Sequence, residues 1–442
     1  GGISYFGSKD LSTQTLSVSG TSTLTNVSAD SISVSGAFSA GSSTFAATSL
    51  SSLTVSGTAS LSNTLWVSPS GYAGNVGVGT GTPGAKLDVV GSAIFKGPSP
   101  WVDVRAYGAK GDDDGAGNGN DDTTAIQTAV NALTSSGGVV FLPAGSYKIT
   151  SKITLKQGVT IKGAGRLISV INNYGNSDAL YAIYPSVQYL RVEDLQIYDR
   201  LGIATRTAGH GINFDGTGGY AQFSIERVYI LGHINGINIT IGGYSAIRET
   251  RVISTKQDGY ALSGVLSTGI IFDADVSNGA GRYGYYLQNT YDVTFNSTIA
   301  DGSVSHGFYL ISATNCAFNA TSAEANGGHG YYLVLTDNTT LNSVRVSNIS
   351  TQDGIKIEGS YYTTLNSPLF STITGYCINA INSASPVRYV QSVIVNNGYF
   401  NACAAGDVND PNKQVLSNKA TAFIGGTTAS STLVLRPTSG VG

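Results

Sequence analysis

The chain has 442 residues, of which 41% are apolar, only 12% are charged and 57 are glycine. Its formal net charge of −3, with Lys and Arg scattered singly, excludes the basic footprint of a nucleic-acid binder. No stretch approaches the roughly 18 consecutive apolar residues of a membrane span, so no membrane insertion is expected, and the balance suits a long β-structure rich in tight turns.

Residues 11–85 contain one charged residue, Asp30, among Ser, Thr, Gly and Ala. Composition alone would suggest a flexible linker. A repeat argues otherwise: L-S-V-S-G at 16–20, I-S-V-S-G at 32–36, L-T-V-S-G at 53–57 and L-D-V-V-G at 87–91 each read as a short strand ending in a turn. Such strands carry too few large side chains to bury a core within one chain. Residues 1–97 are therefore expected to form a Ser/Thr/Gly-rich oligomeric β stalk, most simply a homotrimer. The stretch from Gly74 through Val76, Val78 and Pro83 to Gly91 resembles a repeat common in phage tail fibres and bacterial surface fibres.

A boundary falls at Gly97-Pro98-Ser99-Pro100. Residues 98–165 then read as a β-helix entry containing one capping helix, with Asp122 as N-cap and Ile126, Ala129, Val130 and Leu133 at helical spacing. Val139 to Leu142 reads as a buried strand. The order D-V-x-A-Y-G-A, D-D-T-x-A-I-Q, G-G-x-V-x-L-P-x-G-x-Y and G-V-T-I-K-G, over residues 101–170, resembles the pectate-lyase-like superfamily of right-handed parallel β-helices. That family includes phage tailspikes and polysaccharide depolymerases, and the resemblance implies a helix that closes the N-terminal end of the solenoid. Asp112, Asp113 and Asp114 fail EF-hand spacing, and no metal or cofactor is expected.

Independently of family, residues 166–400 repeat a glycine every 21 to 25 residues, at Gly211, Gly236, Gly259, Gly284, Gly307, Gly330, Gly354 and Gly375. Each is followed by a short alternating run, which is the mark of a β solenoid. The expected fold is all-β, a single-stranded parallel β-helix. A second column, Asn296, Asn319, Asn342 and Asn366, lies 12 residues after the glycines and predicts an asparagine ladder at a turn. Strand alternation turns Tyr286, Tyr309 and Tyr332 outward as a stripe suited to the apolar faces of sugars, or to packing on a neighbouring subunit. Residues 401–442 are expected to be a C-terminal cap or an inter-subunit strand around Thr432 to Leu435.

Glycan hydrolysis uses paired carboxyl groups. Glu226, Glu249 and Asp273, with Asp275 beside the last, fall at intervals of 23 and 24 residues and are the candidate acid and base; pairing with Arg227, Arg248 and Arg251 is the alternative. Gly-His-Gly, at 209–211 and 328–330, looks like the catalytic tripeptide of polygalacturonases, but that family's companion motifs are missing and the last glycines belong to the repeat. Cys316 reads as a buried apolar residue, and a Cys377–Cys403 disulfide stays open. The expected function is an extracellular or virion-surface tailspike-like fibre that binds polysaccharide, with its cleavage by a hydrolase or lyase reaction left open. The alternative is a non-catalytic adhesin or filament subunit.

Overall fold

A computed structural model describes residues 76–78, 87–89 and 101–418, apart from 134–136, 217–220, 241 and 385. The strands expected at 16–20, 32–36 and 53–57 and the segment 427–437 lie outside the described residues. The strands Val76–Val78 and Leu87–Val89 pair with each other in a two-stranded sheet. No helix among the described residues is long and apolar enough to cross a membrane.

From Trp101 onward the chain is a parallel β-solenoid of about ten turns with one α-helix. Each coil contributes up to three short strands, as in Thr294–Asn296 on face A, Ile299–Asp301 on face B and Phe308–Ile311 on face C. Every face pairs in register with the same face of the next coil: Phe295 with Phe318, Ala300 with Ala323, Leu310 with Leu333. Faces A and C join where Tyr260–Asp273 and Tyr285–Tyr291 run on as long strands.

Alternation within these strands fills the interior with stacked rings. Tyr260, Tyr285, Phe308 and Tyr331 form one stack, with ring centroids 4.6, 4.8 and 4.7 Å apart. Phe272, Phe295 and Phe318 form another at 4.7 and 4.6 Å, edge-on to the first. The spacing is the strand spacing of about 4.8 Å, so the backbone register dictates the stacking. The buried Tyr260 phenol donates to the Thr250 carbonyl at 2.8 Å.

The repeating glycine is required by close approach. A Cβ on Gly307 would stand 2.7 Å from the Gly330 carbonyl oxygen, and one on Gly330 the same distance from that of Gly354. Gly375 does not belong to this column. Ile355 pairs with Ile378, which sets Cys377 opposite Gly354, two residues beyond the glycine that spacing alone selects. Cys377 forms a disulfide with Cys403, their Cα atoms 5.5 Å apart, and Cys316 is buried.

The helix Thr123–Ala132 buries Ile126, Ala129 and Val130 against the first coil. Asp122 stands at the N-cap, but its carboxylate accepts instead from the backbone of Lys110 and Gly111, at 2.6 and 3.0 Å. The helix start is capped by Asp121, whose carboxylate accepts from the Thr123 N–H at 3.0 Å. Asp112 and Asp114 are spent on the loop itself, accepting from Asn120 and Asn118 side chains at 2.7 and 2.6 Å.

Candidate functional site

Tyr286, Tyr309 and Tyr332 stand in register on the outside of face C, with ring centroids 5.7 and 5.1 Å apart. The rings are half-buried because a second set of rings flanks them. Tyr283, His306 and His329, each three residues earlier, stack on one another at 5.3 and 5.1 Å. The two columns interlock: Tyr283 lies 4.8 Å from Tyr309, and both His306 and His329 lie 5.1 Å from Tyr332. Cations bracket the platform, with Arg282 over Tyr283 and Tyr286 at 4.9 and 5.3 Å and Lys356 over Tyr332 at 4.6 Å. Tyr332 donates its phenol to Glu358 at 2.6 Å, and Glu358 lies 3.3 Å from Lys356. Burial and that hydrogen bond push the Tyr332 phenol up, so it stays protonated.

The residue before each repeat glycine has a job that sequence did not reveal. Except at Tyr283, its side chain accepts the backbone N–H of its counterpart one coil on: Asp178, which precedes Ala179, from His210 at 2.8 Å, His210 from Asn235 at 3.2 Å and Asn235 from Asp258 at 3.0 Å. The pattern resumes from His306 to His329 and from His329 to Asp353, at 2.9 and 3.0 Å, through Nδ1 each time. Burial pushes His306 down to about 3 and His329 down to about 4, so both rings are neutral at physiological pH. In Gly-His-Gly, then, the histidines hold a position in this ladder. The column mixes Asp, His, Asn and Tyr, which is why it escapes a search for identities.

The acids lie elsewhere. Register on face A aligns Glu193, Glu226, Arg248, Asp273 and Asn296, so the expected Glu226–Glu249–Asp273 spacing is corrected: Arg248 occupies the middle coil. Glu249 is the next residue, exposed on a turn at φ 49°. Glu226 accepts from Ser224 at 2.5 Å and pairs with Arg227 and Arg248, both at 3.3 Å; the Ser224 hydrogen bond first, then the two arginines, hold its carboxyl below the usual range. Arg227 also grips Asp194 at 2.6 Å and, with Lys162, holds that carboxyl down to about 2. Asp275 is fully buried, accepts the N–H groups of Thr250 and Asp273 at 2.8 and 2.9 Å, and is pushed well up by desolvation. The four acids therefore sit at the edge of face A and the turn beyond it, and the tyrosines on face C.

The same face A column continues as asparagine. Asn319, Asn342 and Asn366 donate to Asn296, Asn319 and Asn342 at 2.9, 2.9 and 2.7 Å, and Asn396 extends the run to Asn366 at 2.8 Å. The left-handed turn residue is the one that follows, Ser297, Ala320, Ser343 or Ser367, at φ near 50°. Among the described residues, the grouping with metal-ligand chemistry is Cys377, Cys403 and Asp407, and the disulfide consumes both sulfurs.

Residues 101–311 match the family model for rhamnogalacturonase A/epimerase, pectate lyase-like. A 207-residue stretch is 29% identical to alginate lyase 7 of Azotobacter vinelandii, covering 41% of this chain and 23% of that protein. The mannuronan C-5 epimerase AlgE4 A-module of the same organism superposes with a TM-score of 0.57 at 15% identity, over 72% of this chain and 100% of that one. Its AlgE6 counterpart gives 0.53 at 15%, over 72% and 99%. The family likeness spans residues 101–311, and the two superpositions show the same fold, a parallel β-helix.

Proposed function

We propose that face C binds a polysaccharide strand laid along the solenoid axis over Tyr286, Tyr309 and Tyr332. The observation that carries this reading is the interlocked Tyr/His platform, repeated once per coil and bracketed by Arg282 and Lys356. Flat rings match the C–H faces of sugars, and phenols, imidazoles and cations match their hydroxyl and carboxyl edges. Support comes from the names of its likenesses, alginate lyase 7 and two mannuronan C-5 epimerase modules. The test is affinity electrophoresis of the full chain in gels cast with alginate, polygalacturonate or xyloglucan. Retardation is expected with at least one and should be lost in a Tyr309→Ala/Tyr332→Ala variant; unretarded migration in all three sinks the reading.

Cleavage by Glu226, Glu249, Asp273 and Asp275 is the competing, finer reading. The ion pairs of Glu226 and the burial of Asp275 favour binding without hydrolysis at face A. Replacing Glu226 and Asp273 by their amides should leave any release of reducing ends or unsaturated products unchanged. We place the protein outside the cell or on a virion surface, as a fibre whose residues 1–97 form a trimeric stalk. The Cys377–Cys403 disulfide supports an oxidising compartment, and light scattering of the full chain, giving three chains per particle, tests the stalk.

A further inference from the structure

We propose that His306 and His329 read the glycan, each donating its Nε2–H to an oxygen of the strand that lies on Tyr309 and Tyr332. The inference rests on the polysaccharide reading of face C and names the polar contacts of that same site.

The ladder before the glycines needs only an acceptor. Asp178, Asn235 and Asp353 fill that need with short side chains, accepting from His210, Asp258 and Tyr376 at 2.8, 3.0 and 2.8 Å. Imidazole at 306 and 329 exceeds the requirement. Because Nδ1 of each ring accepts a backbone N–H, the proton of the neutral ring sits on Nε2. Neither Nε2 meets a protein acceptor among the described residues, and neither is among their buried unsatisfied atoms, although His329 as a whole is only 4% exposed. The one polar atom with no partner therefore reaches the surface, beside Tyr332, whose ring lies 5.1 Å from both imidazoles.

The stacked rings give two donors of one tautomer, one coil apart. A polymer running along the axis whose repeat matches the coil spacing of about 4.8 Å would present the same oxygen to each. One coil further on, Asp353 carries an acceptor, and Glu358 carries one beside the Lys356 ammonium.

Two variants separate reading from scaffolding. His306→Asp and His329→Asn keep a ladder acceptor, as Asp353 and Asn235 do, and remove the imidazole donor. His210→Asp is the control, since His210 fills the same ladder position beside Asn213 and away from the tyrosine stripe. Affinity for the retained probe among alginate, polygalacturonate and xyloglucan is measured with the full chain, alongside the thermal midpoint. His306→Asp and His329→Asn are each expected to weaken binding about tenfold with the midpoint within a few degrees of wild type, while His210→Asp binds normally. Wild-type affinity in both variants overturns the inference and leaves the polysaccharide reading standing; a wild-type chain that binds none of the three probes removes the reading itself. Should either variant lose its thermal transition, His306→Asn and His329→Gln take its place under the same criterion.

Discussion

His306, His329 and the fully buried His233 are three of the groups through which this fold senses acid. Burial holds their folded values at about 3, 4 and 3, well below the ordinary histidine value near 6.5. Between those limits the unfolded chain binds protons that the folded chain refuses at these rings, so the histidine contribution to stability falls as pH drops from about 6.5 toward 4. Thermal midpoints measured from pH 4 to 8 should trace that slope, and a double His306→Asp/His329→Asn variant should flatten part of it. An unchanged slope in the double variant would mean the charge is felt elsewhere. A second residue-scale test concerns Arg206, fully buried against Asp199 at 2.7 Å. Burial opposes the Asp199 charge, yet the hydrogen bond from Arg206 leaves its carboxyl below the usual range. Asp199→Ala strands the guanidinium and should cost about 3 to 5 kcal/mol in urea unfolding; a loss under 1 kcal/mol would mean that the arginine finds water.

At the scale of the strand and its column, the asparagine ladder makes a graded prediction. Asn319 both donates to Asn296 and accepts from Asn342, whereas Asn296, at the head of the run, is described only as an acceptor from Asn319. Asn319→Ala removes two half-buried hydrogen bonds and should cost about 1 to 2 kcal/mol, with Asn296→Ala costing about half as much. Equal, negligible losses would show that water replaces the amides. This column was legible because one residue type recurs at one spacing. The column before the glycines was not, since His210, Asn235, Asp258, His306 and His329 share only the ability to accept a backbone N–H. Register also escaped where coil length varies. Counting placed Glu249 level with Glu226, while pairing puts Arg248 there, and counting chose Gly375 where pairing chooses Cys377. Both columns could be found by extending the asparagine and glycine registers strand by strand, allowing the loops between strands to change length.

Across the whole described solenoid, stability is quasi-one-dimensional, because each coil pairs only with its neighbours. The ends then matter most. The first coil is covered by the helix Thr123–Ala132, whose buried face joins the core. Toward the other end, the disulfide ties Cys377 on face C to Cys403 on face B of the following coil, across 26 residues. A closed loop of that length limits the unfolded chain and is worth about 3 kcal/mol. In a solenoid, that energy is felt locally: breaking the link releases the last coils without loosening the aromatic stacks from Tyr260 to Tyr331. Hydrogen exchange on a Cys377→Ser/Cys403→Ser variant should therefore show amides of residues 376–418 exchanging much faster, while strands such as Thr294–Asn296 and Phe308–Ile311 keep their protection. Loss of protection across all coils at once would instead make the solenoid a single cooperative unit, in which the disulfide stabilises every coil alike.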